Sequence, residues 1–126
     1  MTIIGVLLAT VCTQFLGVIW YSDALFRKVW MRGFGGTPVV NDNRVYMAAA
    51  AGMFSLALFF NATLGPYFGI SGVHEAIHFA FILTIPVGLL QISHTGFEGR
   101  SIGAYLVNVG FDATVLVIIC TIVTIL

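Results

Sequence analysis

The chain has 126 residues, 60% of them hydrophobic and 8% charged, with five basic and five acidic side chains, a formal charge of +0 and a mean hydropathy of +1.06. An ordinary soluble domain carries about 25% charged residues, so this composition excludes one. The lack of any basic excess argues against nucleic acid as a partner. Four membrane spans of roughly 20 residues each consume most of such a chain. The expected fold is therefore all-α: a polytopic membrane protein with four transmembrane helices and a short interfacial helix after the first, forming a single transmembrane domain over 1–126.

The first span is expected over about 2–21. It has no basic start and no small-residue cleavage site, and it ends on Trp20-Tyr21, an interfacial aromatic pair, which reads as a retained span rather than a signal peptide. In the polar stretch that follows, Ala24, Leu25, Phe26, Val29 and Trp30 interleave with Arg27, Lys28 and Arg32, the pattern of a short helix lying in the interface. Gly33, Gly35, Gly36 and Pro38 break it, and Asn41 or Asp42 can cap the second span. That span is expected over about 45–64, ended by Gly65-Pro66. The third is expected over about 76–93 with Pro86 inside it, and the fourth over about 102–124 after a short polar turn from His94 to Arg100. Cys12 and Cys120 both fall within apolar runs and read as small apolar fillers. Asn61-Ala62-Thr63 fits a glycosylation sequon but lies inside a span, where the match is chance.

All five basic residues lie in two stretches, Arg27, Lys28, Arg32 and Arg44 between spans one and two and Arg100 between spans three and four. The positive-inside rule places both stretches in the cytoplasm and both termini outside.

In lipid, helices associate by close approach through small residues rather than by a hydrophobic drive. Gly5, Ala9, Thr13 and Gly17 form one such ridge on the first span, and Ala76, Ala80, Thr84 and Gly88 form another on the third. Both are expected to be buried against protein. The second span opens with Ala48, Ala49, Ala50, Ala51 and Gly52, so its cytoplasmic half can pack closely on almost any side.

Asp112 is the most costly residue. About ten positions into the last span it lies roughly 15 Å deep, where an ionised carboxylate costs at least ~3 kcal/mol on insertion scales. It is expected to point into protein, with Asn108 on its own face and Gln14, Ser55 and Thr84 at similar depth on the other helices. Such a polar layer serves either as a proton or ion path or as interhelical hydrogen bonding that fixes packing. His74-Glu75-Ala76-Ile77-His78 matches H-E-x-x-H, in which two histidines on one helical face bind zinc and the glutamate activates water. No third ligand is in reach, since His94 is about 24 Å away along the axis. No catalytic metal and no cofactor is expected, and a structural role or a surface metal site between subunits is favoured.

Two blocks, Gly17 to Met31 and His94 to Ser101 followed by Asn108-Val109-Gly110-Phe111-Asp112, resemble the small membrane family known as domain of unknown function seventeen sixty-one. Its pattern has a Trp-Tyr, a Phe and a Trp after the first span, a Phe-Glu-Gly-Arg turn before the last, and an Asn-x-Gly-aromatic in that span. The resemblance covers the whole chain and implies four spans, with Trp20, Tyr21, Phe26, Trp30, Phe97, Glu98 and Arg100 as one cytoplasmic cluster in which Glu98 or Arg100 can pair with Arg27 or Asp23. Asp112 stands where the family tends to have a histidine, and H-E-x-x-H is not part of the pattern.

The reading favoured by these features is a non-enzymatic protein embedded in the lipid bilayer that acts by assembling, as a homo-oligomer or as a small accessory subunit with a membrane-protein partner. The alternatives are a small proton, ion or solute transporter or channel using the Asp112 layer, and a membrane metallohydrolase at His74, Glu75 and His78.

Overall fold

A computed structural model describes residues 2–22, 24–32 and 43–126. The expected helix breakers Gly33, Gly35, Gly36 and Pro38, the expected caps Asn41 and Asp42, and Asp23 lie outside the described residues. The described residues are helical with no strand: α1 (Ile3–Trp20), α2 (Arg27–Arg32), α3 (Asn43–Thr63), α4 (Val73–Phe97) and α5 (Ile102–Ile125). All but the six-residue α2 are long and apolar enough to cross a membrane.

The helix ends follow from local chemistry. Thr2 caps α1, its hydroxyl accepting from the Gly5 amide at 3.3 Å, and Ser101 caps α5 by accepting from the Ala104 amide at 3.2 Å. α4 continues unbroken through Pro86 and past the expected end at Ser93 to Phe97. It stops in a Schellman turn: the Arg100 amide donates to the Thr95 carbonyl at 3.0 Å and the Gly99 amide to the Gly96 carbonyl at 3.2 Å. Gly99 has φ +68°, a left-handed conformation that a side chain disfavours. The Phe97-Glu98-Gly99-Arg100-Ser101 run is thus one helix stop followed at once by the next helix start.

α5 is the central helix, packed against α1, α2, α3 and α4. Both small-residue ridges face it. Gly5, Ala9 and Thr13 of α1 are buried and Gly17 is half-buried; Ala76, Ala80 and Gly88 of α4 are buried and Thr84 half-buried. A Cβ at Gly5 would stand 3.2 Å from Leu126 Cβ, one at Gly17 3.6 Å from the Phe111 ring, and one at Gly88 3.5 Å from Val109. The Gly5–Leu126 approach also puts both ends of the chain at one end of the bundle.

The core is concentrated toward that end. Val6, Ala57, Phe60, Leu64, Ala76, Val115, Ile119 and Val123 belong to one buried cluster, and Phe79 meets Phe60 and Phe68 with ring centroids 6.4 and 4.8 Å apart. At the other end, which carries the basic residues, α3 parts from its neighbours. A cavity of about 570 Å³ opens there between α1, α2, α3 and α5, bordered by Gln14, Tyr21, Trp30, Ala49, Met53 and Phe111 among others.

Candidate functional site

The basic end is organised where α1 leaves the bundle. Trp20 is the last residue of α1, and its indole Nε1 donates to the Val107 carbonyl of α5 at 3.0 Å. The ring lies so close to α5 that a Cβ at Gly110 would stand 3.1 Å from Trp20 Cζ2. Tyr21 follows, its hydroxyl donating to Asn108 Oδ1 at 2.7 Å. Phe111 packs beside both, with centroids 6.3 Å from Trp20 and 5.3 Å from Tyr21. Phe26 packs at a tilt against Trp20, with centroids 4.7 Å apart, and Trp30 against Tyr21 at 4.6 Å. α2 also rests on α5: a Cβ at Gly103 would come within 3.1 Å of Val29.

This geometry gives the motif residues separate jobs. Asn108 accepts a hydrogen bond, Gly110 leaves room for an indole, and Phe111 fills the gap between the two rings. Asn108 answers Tyr21, Gly110 answers Trp20, and Phe111 answers both. The rings are half-buried, and aromatic pairs add about 0.5–1.5 kcal/mol each beyond the area they cover.

The expected aromatic cluster is partly assembled. Trp20, Tyr21, Phe26 and Trp30 come together, joined by Phe111. Phe97 stands apart at 95% exposure. Glu98 and Arg100 pair with each other, Nε to Oε2 at 2.8 Å, across the Schellman turn.

The polar layer differs from the expectation. Asp112 accepts a hydrogen bond from the Gln91 side-chain amide of α4, and both side chains are half-buried. The structure places the three expected partners elsewhere. Thr84 Oγ1 donates to its own helix at the Ala80 carbonyl, 2.9 Å away. Ser55 is exposed on α3, and Gln14 borders the cavity. The reason is helix length. A third span ending at Ser93 leaves Gln91 within a turn of the membrane edge; with α4 running to Phe97, Gln91 sits six residues inside, about 9 Å deep. The Gln91 side chain then bridges the remaining offset to Asp112. One further α4–α5 tie lies nearby, Tyr105 Oη donating to the Gly88 carbonyl at 2.7 Å. Gln91 and Tyr105 were legible in principle as the polar side chains on two helices joined by a short turn.

At the opposite end, His74 and His78 share one exposed face of α4, with Nε2 atoms 3.1 Å apart. Glu75 turns away: its Oε2 accepts from the Ser71 amide at 3.3 Å, where it complements the helix N-terminus. Among the described residues no group of three His, Cys, Asp or Glu side chains is placed to hold a metal. Cys12 and Cys120 are free thiols, half-buried and buried.

No curated protein and no solved structure matches the chain. A family model does, over residues 4–124, and it takes in both motif blocks and the Asp112 layer. By that match the chain belongs to the family described as protein of unknown function (DUF1761).

Proposed function

We propose that this is a multi-pass membrane protein without catalytic activity that works by assembling with further copies of itself, through the basic half of α3. One observation carries the reading. Ala48, Ala51, Gly52 and Ser55 line one face of the basic half of α3 and all are exposed. A Cβ at Gly52 would meet no heavy atom within 4 Å. Small residues at this spacing are what lets helices approach closely in lipid, and those of α1 and α4 are already buried against α5. The polar side chains support the same view, since Asp112, Gln91, Asn108, Tyr21 and Tyr105 are engaged in tying helices together.

Native mass spectrometry of the purified chain in lipid nanodiscs or mild detergent tests this. The parent is expected to run as an oligomer, and Gly52→Leu as a monomer of unchanged helical content. A monomeric parent contradicts the reading, and co-purification with a different membrane protein in place of self-association favours an accessory subunit.

The basic loops belong in the cytoplasm under this proposal, with both termini outside, because all five basic residues lie at one end of the bundle's loops. Ser71→Cys is expected to react with an impermeant thiol reagent from outside only.

A second reading rests on the Asp112–Gln91 pair, a carboxylate at mid-depth beside a cavity that reaches Phe111. There Asp112 is the step of a proton or ion path. Proton or cation flux in liposomes that disappears in Asp112→Asn, with assembly intact, would put transport in place of assembly.

A further inference from the structure

His74 and His78 sit one turn apart near the start of α4, at the end of the bundle away from the aromatic cluster. Both are exposed, so nothing around them forces the rings together. Yet the rings converge edge to face, centroids 4.4 Å apart and planes at 67°. The same nitrogen of each ring, Nε2, points at the other across 3.1 Å. A single shared proton can bridge that gap, and a cation set to one side of the line between the nitrogens can bind both.

The distance suits one coordination angle better than another. Metal–imidazole bonds are about 2.0–2.1 Å long, so two nitrogens 3.1 Å apart subtend about 98° at a metal. That is the angle between neighbouring corners of a square or an octahedron, and it is narrow for a tetrahedron. Square-planar and tetragonal sites with nitrogen ligands suit Cu²⁺ and Ni²⁺, and Cu²⁺ binds such sites most tightly of the first-row divalent ions. Glu75 is held on the Ser71 amide, so the remaining corners fall to water.

We propose that His74 and His78 form a two-nitrogen chelate for a divalent transition-metal cation, with Cu²⁺ the preferred ion and water completing its coordination. The site is separate from the α3 assembly face and stands whether or not the chain self-associates. It is also distinct from zinc-hydrolase chemistry, since the glutamate that would activate water is directed elsewhere.

The test is Cu²⁺ titration of the full, untagged chain in nanodiscs, read by electron paramagnetic resonance. The expected result is one Cu²⁺ per chain whose spectrum carries nitrogen coupling from two imidazoles. His74→Ala and His78→Ala should each lose that signal, while His94→Ala, altering the remaining histidine, should keep it. His78→Gln preserves side-chain bulk and should also lose it, with the thermal unfolding of the parent. No bound Cu²⁺ in the parent, coupling to a single nitrogen, or a signal that survives His78→Gln would overturn the proposal.

Discussion

The small residues of α1 and those of α3 are the same kinds of residue, spaced three or four apart along one helical face, and they meet opposite surroundings. On α1, Gly5, Ala9 and Thr13 are buried, and α5 lies against the ridge at Gly5 and Gly17. On α3, Ala48, Gly52 and Ser55 are exposed along the half that borders the cavity. A soluble protein would separate these faces by polarity. In lipid, an apolar exposed face is ordinary, so the contrast lies in size: a lipid-facing helix has no need of small side chains, whereas a helix-facing one does. Under the assembly proposal, α3 is the helix whose partner lies outside the single chain.

The variants that test this contrast should separate two quantities, the stability of the chain and its self-association. The largest effect on stability is expected at the α1–α5 junction. Gly110→Leu would drive side-chain atoms into the Trp20 ring and break its bond to the Val107 carbonyl, costing about 3 kcal/mol, in the range of overpacking a tight contact. Thermal unfolding in detergent should show a large fall in Tm. Gly52→Leu, the same change of side chain on α3, should alter unfolding by less than about 0.5 kcal/mol, as at exposed sites generally, while abolishing the oligomer.

Next in size comes the Asp112–Gln91 pair. Asp112→Leu leaves the half-buried Gln91 amide without its acceptor, a loss of about 1–3 kcal/mol, whereas Asp112→Asn keeps an acceptor oxygen in place and should cost less. Equal destabilisation by the two would mean that the negative charge, not the hydrogen bond, holds α4 to α5. Among the variants that break a contact within the chain, Tyr21→Phe should have the smallest effect, about 1 kcal/mol for one hydrogen bond to Asn108, with the oligomer unchanged.

Much of the fold was legible in the sequence because hydropathy and small-residue spacing are local properties. The four long helices and the buried ridges of α1 and α4 follow from them. The partner of Asp112 was harder to read, because it depended on where α4 stops. The polar run from His94 looks like a turn, yet the stop signal is Gly99, the residue able to take φ +68°, and the helix keeps going until it is near. Four extra residues move Gln91 about 6 Å deeper. The role of Phe111 was also hidden, since nothing in an apolar span tells which aromatic ring will meet Trp20 and Tyr21 from another helix. The convergence of His74 and His78 was foreshadowed by spacing alone, but the direction of Glu75 was not: the Ser71 amide at the helix start captures it.

The central claim is that α3 carries the interface between copies, and single-cysteine cross-linking in the native membrane tests it most directly. In a chain with Cys12 and Cys120 replaced by Ala, Gly52→Cys and Ala48→Cys should each form a disulfide-linked dimer on mild oxidation. Ile82→Cys, on the exposed lipid-side face of α4 at 64% exposure, should not. Monomer at Gly52 and Ala48, or equal cross-linking at all three positions, would contradict the account.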